Sequence, residues 1–177
     1  MKTAHDTKSA RRRHFPLLAL LLAAVTLLAF APQPVRAGPS YPFHARFITE
    51  FESVVQFPYR RFTVNGQGRA TYMGPTTVVS TDQLVSMIDR SATATYPLTS
   101  DTAGVRADTL ILAGAFQETD VPGGNTFTGT YTVTGGTGRF VVVTGSGVVA
   151  GSALLEGLTS GIGSFSLSGA ISFGPGD

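Results

Sequence analysis

The chain has 177 residues, thirteen Lys and Arg against eleven Asp and Glu, three histidines and no cysteine. Without cysteine there can be no disulfide, thiolate metal site, iron-sulfur cluster or cysteine nucleophile. The small basic excess is unevenly placed, and its placement decides what it means.

Residues 1–37 carry Lys8, Arg11, Arg12 and Arg13, then an almost wholly apolar run over 16–30, then Val35-Arg36-Ala37. A basic opening, a short apolar stretch and small residues before a break form the three-part pattern of an export signal with cleavage after Ala37. The apolar run is too short for a membrane-spanning helix, which needs about 20 residues. Arg12-Arg13-His14-Phe15 also resembles a twin-arginine signal, but it departs from that pattern at Arg11, and an ordinary basic opening is the simpler and preferred reading. Taking Lys2, Lys8, Arg11, Arg12, Arg13, Arg36 and Asp6 out of the count leaves seven basic and ten acidic residues, a net charge of −3. The alkaline balance thus belongs to the leader and is no sign of nucleic-acid binding. The expected product is secreted or periplasmic, touching the membrane only through the signal.

Residues 38–177 suit one domain. All 21 glycines lie there, singly or paired between β-branched and aromatic runs, as expected of turns and crowded sheet positions. From Tyr41 the pattern alternates: Phe43, Ala45, Phe47, Thr49 and Phe51 face one way, and His44, Arg46, Ile48, Glu50 and Glu52 the other. Pro58 predicts an edge, bulge or break. Residues 60–64 read as a strand, Asn65-Gly66 as a hairpin turn, and 69–73 as the returning strand. Residues 76–79 form a short β-branched run. Residues 82–90 fit either a bulged strand, the preferred reading, or a brief helix. Strands follow over 91–96 and 106–116, with loops at 99–104 and 118–125, the latter marked by Pro122-Gly123-Gly124.

Residues 127–151 read FTGTYTVTGGTGRFVVVTGSGVVAG, a strand, a tight connection at Thr137-Gly138-Arg139 and a second strand resuming at Phe140. After a separator over 157–163, residues 164–173 close the pattern, with Phe165, Leu167, Gly169 and Ile171 on one face. Eight or nine strands with short links and no confident long helix predict an all-β fold. A single small antiparallel eight-stranded barrel removes exposed edges; a two-sheet sandwich is the alternative.

The hairpin from Tyr131 through Gly135, Gly136, Gly138 and Arg139 to Phe140 resembles the Gly-Gly-Ser/Thr-Gly-x-Phe hairpin of the allene oxide cyclase and dirigent barrel superfamily, a calycin-like architecture. Residues 165–171 resemble its closing strand. Residues 68–74 and 107–110 are similar to recurrent segments of small exported bacterial barrels. The resemblance implies an internal cavity. Cyclases of this kind use an internal glutamate, and dirigent proteins steer phenoxy radicals without oxidising them.

Chemistry is sparsely marked. His44 is the one histidine beyond the leader, so a multi-histidine metal site within one subunit is excluded, and no nucleophile elbow selects a partner for it. Glu50 and Glu52, with His44 and Arg46, form either a solvated outer face, the preferred reading, or a polar row inside the barrel. Asp108 and Arg106 are further candidates at a strand start, and Tyr131 for contact with a ligand. Arg139 is expected to fix the hairpin end. Gly145-Ser146-Gly147 with Ala150 matches dinucleotide-loop spacing, but a following strand without Asp or Glu argues against it. The carboxylates show no calcium-loop spacing, and no cofactor is expected. The reading is an exported barrel for a small apolar or aromatic molecule. A structural or protein-interaction barrel, including a homo-oligomer, and a cyclase or isomerase are the alternatives.

Overall fold

The computed structural model describes residues 38–101 and 107–174; the expected export signal and Arg106 lie outside them. Eight strands run in chain order: β1 (Ser40–Gln56), β2 (Tyr59–Ala70), β3 (Gly74–Ser86), β4 (Ser91–Ser100), β5 (Thr109–Val121), β6 (Gly124–Gly136), β7 (Thr144–Leu155) and β8 (Ser160–Ser172). Each pairs antiparallel with the next, and β8 returns to β1, so the sheet closes into a barrel without an edge.

Period-two alternation puts one row of each strand inside. On β1, Phe43, Ala45, Phe47, Thr49, Phe51 and Ser53 are buried while their neighbours are exposed. On β8 the inward row is Phe165, Leu167 and Ile171, and on β5 Leu110, Leu112, Phe116 and Glu118. Large rings fit because inward glycines stand beside them. A Cβ on Gly68 would come within 2.8 Å of the Phe47 ring, and that ring stacks on Phe165 with centroids 5.0 Å apart. The interior is a layered apolar core, as in other small barrels.

Four expectations change. Asn65-Gly66 is not a turn: Asn65 pairs with Glu50 and Val79, and Gly66 with Thr49 and Val78, in the ladders on both sides of β2. Glycine serves there to admit Thr49 and the Ile48 carbonyl, which a Cβ would meet at 2.5 and 2.7 Å. The chain instead reverses at Phe57-Pro58, joined by a cis peptide bond. Residues 118–125 are not a loop, because β5 and β6 pair down to Val121 and Gly124 and leave only Pro122 and Gly123 to turn. Residues 160–163 belong to β8 rather than to a separator. Phe140 starts no strand: residues Gly138–Phe140 form one 3-10 turn, and β7 begins at Thr144. Residues 82–86 continue β3, past a register irregularity between Val78 and Leu84, so the bulged strand rather than the helix is observed.

Candidate functional site

The two ends of the barrel differ. At the end holding the start of β1, the link between β6 and β7 folds inward and buries Phe140 completely. Its ring lies 6.1 Å from that of Phe173, which also meets Tyr41 and Tyr72 edge-on. The inward fold is held by short contacts. Arg139 Nε donates to Asp108 Oδ2 at 2.8 Å, and Thr109 and Thr137 exchange bonds of 2.8 and 3.0 Å. Gly138 has φ +59°, and a Cβ there would overlap the Asp108 carboxylate. Position 138 therefore needs glycine twice over, for its backbone and for its neighbour.

Among the described residues, the opposite end carries no such plug. It is ringed by the four turns that join β1–β2, β3–β4, β5–β6 and β7–β8, and their tips are apolar: Phe57 is 79% exposed, Ile88 74% and Leu158 91%. Just inside lies Glu118, 6% exposed, the one buried charged side chain among the described residues. It is there because the inward row of β5 runs Leu110, Leu112, Gly114, Phe116, Glu118 without a break.

Around Glu118 stand Asn125, Arg60 and Arg90. Burial pushes its carboxyl above the ordinary range; the two guanidiniums and a hydrogen bond from Asn125 oppose that rise without cancelling it. Arg90 is paired with Asp120 at the rim. Arg60 Nη2 donates to the Leu158 carbonyl at 2.6 Å, with its guanidinium 5.7 Å from the centre of the Phe62 ring. Deeper in, the Tyr96 hydroxyl donates to Gln83 Oε1 at 3.2 Å. Burial, followed by the charges of Glu118 and Asp82, raises that phenol.

Two small cavities meet at this cluster. One, of about 40 Å³, is lined by Phe51, Phe62, Tyr96, Phe127 and Phe165 with Glu118 and Asn125. The other, of about 50 Å³, lies nearer the rim, between Arg60, Glu118, Asn125, Phe62 and Leu155. Each has room for a polar head or a few waters, well short of the about 300 Å³ at which drug-sized sites begin.

The residues singled out from sequence fall elsewhere, in three groups. His44, Arg46, Glu50 and Glu52 are on the outer face, where His44 Nδ1 meets Ser168 Oγ at 3.2 Å; the alternative that set this row inside the barrel is overturned, since inward positions alternate with it. Asp108 is at the plugged end, held by Arg139. Tyr131 is inside, against Phe43, with no partner for its hydroxyl. None of them joins Glu118. The signal for Glu118 was present as one acidic residue continuing an apolar row of period two, but Pro122-Gly123-Gly124 made the segment read as a loop.

Comparison with protein-family models, curated proteins and solved structures gives no match.

Proposed function

We propose that this chain is an exported barrel that binds one small apolar or aromatic molecule at the unplugged end. The observation that carries this reading is a buried carboxyl, Glu118, set among aromatic rings beside two cavities, beneath a rim of exposed apolar tips. A soluble domain gains nothing in folding from burying a carboxylate there or from leaving Phe57, Ile88 and Leu158 in water. A ligand that places a polar head by Glu118 and its body against Phe51, Phe62, Phe127 and the tips uses both features. The likeness of the Tyr131 to Phe140 hairpin to allene oxide cyclase and dirigent barrels supports the same reading.

The test is titration with N-phenyl-1-naphthylamine, whose fluorescence rises in an apolar site. Saturable binding that naphthalene competes away is expected, and Ala153→Leu, at a position lining both cavities, is expected to abolish it while the protein stays folded. Unsaturable signal, or binding indifferent to a folded Ala153→Leu variant, would refute the reading. Glu118 also favours a second one, in which the same carboxyl moves a proton in an isomerisation of the bound molecule. Glu118→Gln would then retain binding of a turned-over ligand and lose turnover.

A further inference from the structure

The polar atoms around the outer cavity are not all paired, and the ones left over specify a chemical group. Arg60 and Asn125 each occupy the second position of a strand, β2 and β6, on the inward row that continues to Phe62 and Phe127. Both line the cavity of about 50 Å³. With Nη2 of Arg60 committed to Leu158, its Nε–H is buried and has no partner. Asn125 stands beside Glu118 and lowers its carboxyl through a side-chain hydrogen bond, while the amide Oδ1 of Asn125 is buried and has no partner. Two residues lining the cavity thus hold one unpaired donor and one unpaired acceptor, both buried.

Simple head groups satisfy this pair unequally. A carboxylate would answer Arg60 but leave Asn125 Oδ1 unpaired and crowd Glu118 and Asp120 with like charge. An ammonium would answer Asn125 and Glu118 but face the Arg60 Nε–H with nothing to offer it. An ether accepts but cannot donate. A hydroxyl does both, with one hydrogen to give and two lone pairs to receive. Its apolar body then points outward past Leu155 to the turn bearing Leu158, the residue whose carbonyl holds Arg60 in place.

We propose that this rim cavity is a hydroxyl subsite, in which an apolar alcohol or phenol donates to Asn125 Oδ1 and accepts from Arg60 Nε–H. This deepens the ligand-binding reading above and rests on it. Displacement of N-phenyl-1-naphthylamine by four compounds sharing one ring system tests it: naphthalene, 2-naphthol, 2-methoxynaphthalene and 2-naphthoate. Net gains of ordinary hydrogen bonds predict that 2-naphthol competes about tenfold better than naphthalene, although water solvates it better. The methyl ether should lose most of that gain, and the naphthoate should compete worst.

In Arg60→Met the preference of 2-naphthol over naphthalene should collapse towards unity while naphthalene binding persists. Should that variant fail to fold, Asn125→Leu supplies the same comparison, and the four-compound series in the unaltered protein decides the matter without either. Equal competition by naphthalene and 2-naphthol would overturn the subsite and leave the pocket standing, since water would then be serving the polar pair. A preference that survives in folded Arg60→Met would also overturn it. If none of the four displaces the probe, the pocket itself fails and the subsite falls with it.

Discussion

Tyr131→Phe removes a single oxygen from the barrel interior, and the structure predicts a gain in stability. The ring is buried against Phe43, with centroids 6.4 Å apart. Its hydroxyl sits over β7 and β8, where a Cβ on Gly147 or Gly169 would stand 2.7 or 2.8 Å away. It has no hydrogen-bond partner, and burial pushes the phenol up to about 12. A buried, unpaired hydroxyl costs about 1–3 kcal/mol. Removing the oxygen leaves a void of about 15 Å³, which returns about 0.4 kcal/mol of that at 24 cal/mol per Å³. The net expectation is about 1 kcal/mol in favour of Phe, or a rise of about 4 °C in Tm for a domain of this size. Urea melts with an unchanged slope would measure it. Tyr96→Phe is the matched control, expected to lose about 1 kcal/mol because its hydroxyl does donate, to Gln83. The two phenols also differ from Phe at high pH. A raised phenol supports the fold fully below its ordinary value of 10 and loses that support as pH climbs through about 12, so Tyr131→Phe should resist alkaline unfolding. A loss of 1 kcal/mol or more on Tyr131→Phe would refute this reasoning and show that the hydroxyl is satisfied in solution.

Glu118 makes a pH prediction of the same sign. Its carboxyl is raised above the ordinary 4.5, so its contribution is whole below that value and is lost as pH rises through the folded one. Melts from pH 4 to 8 should therefore show Glu118→Gln gaining on the parent as pH rises, and parallel curves would contradict a buried, desolvated carboxyl. Phe140→Ala should cost about 3–5 kcal/mol, the usual loss for a fully buried Phe; a cost below 1 kcal/mol in denaturant melts would mean that Phe140 does not plug the end. Gly138→Ala combines a φ of +59° with overlap on Asp108, and should destabilise by about 1–3 kcal/mol. Should its melt match the parent's, the turn at the plugged end must adopt another shape.

The wall of the barrel was legible wherever apolar residues alternated. The inward row of β1 from Phe43 to Phe51 and the β8 row from Phe165 to Ile171 both face the core as the period-two pattern requires, and Pro58 does mark the reversal between β1 and β2. Glycine was the source of error, because it serves two purposes that look alike in a sequence. At Asn65-Gly66 it makes room in mid-sheet rather than a turn, and which of the two applies depends on the residues opposite, Thr49 and Val78, that only pairing reveals. The site was hidden for a related reason. Its members come from the ends of β2, β5 and β6 and from the turn before β4, so no local spacing joins Arg60, Arg90, Glu118 and Asn125. The row of His44, Arg46, Glu50 and Glu52 was conspicuous because it is contiguous in sequence, and it is contiguous because it lies on the solvent side of one strand.

A ring of eight hydrogen-bonded strands cannot part at a seam without breaking an entire ladder, and Phe140 with Phe173 fills the far end. The packed core is thus closed at one end, and its two small cavities lie towards the other. Whatever enters must leave by reversing its own path between Phe57, Ile88 and Leu158, so arrival and departure share one barrier. Under the proposed ligand reading, trimming those three tips should change both rates and also weaken binding, since the tips hold part of the ligand's body, whereas changes at Glu118, Arg60 or Asn125 should act mainly on how long an occupant stays.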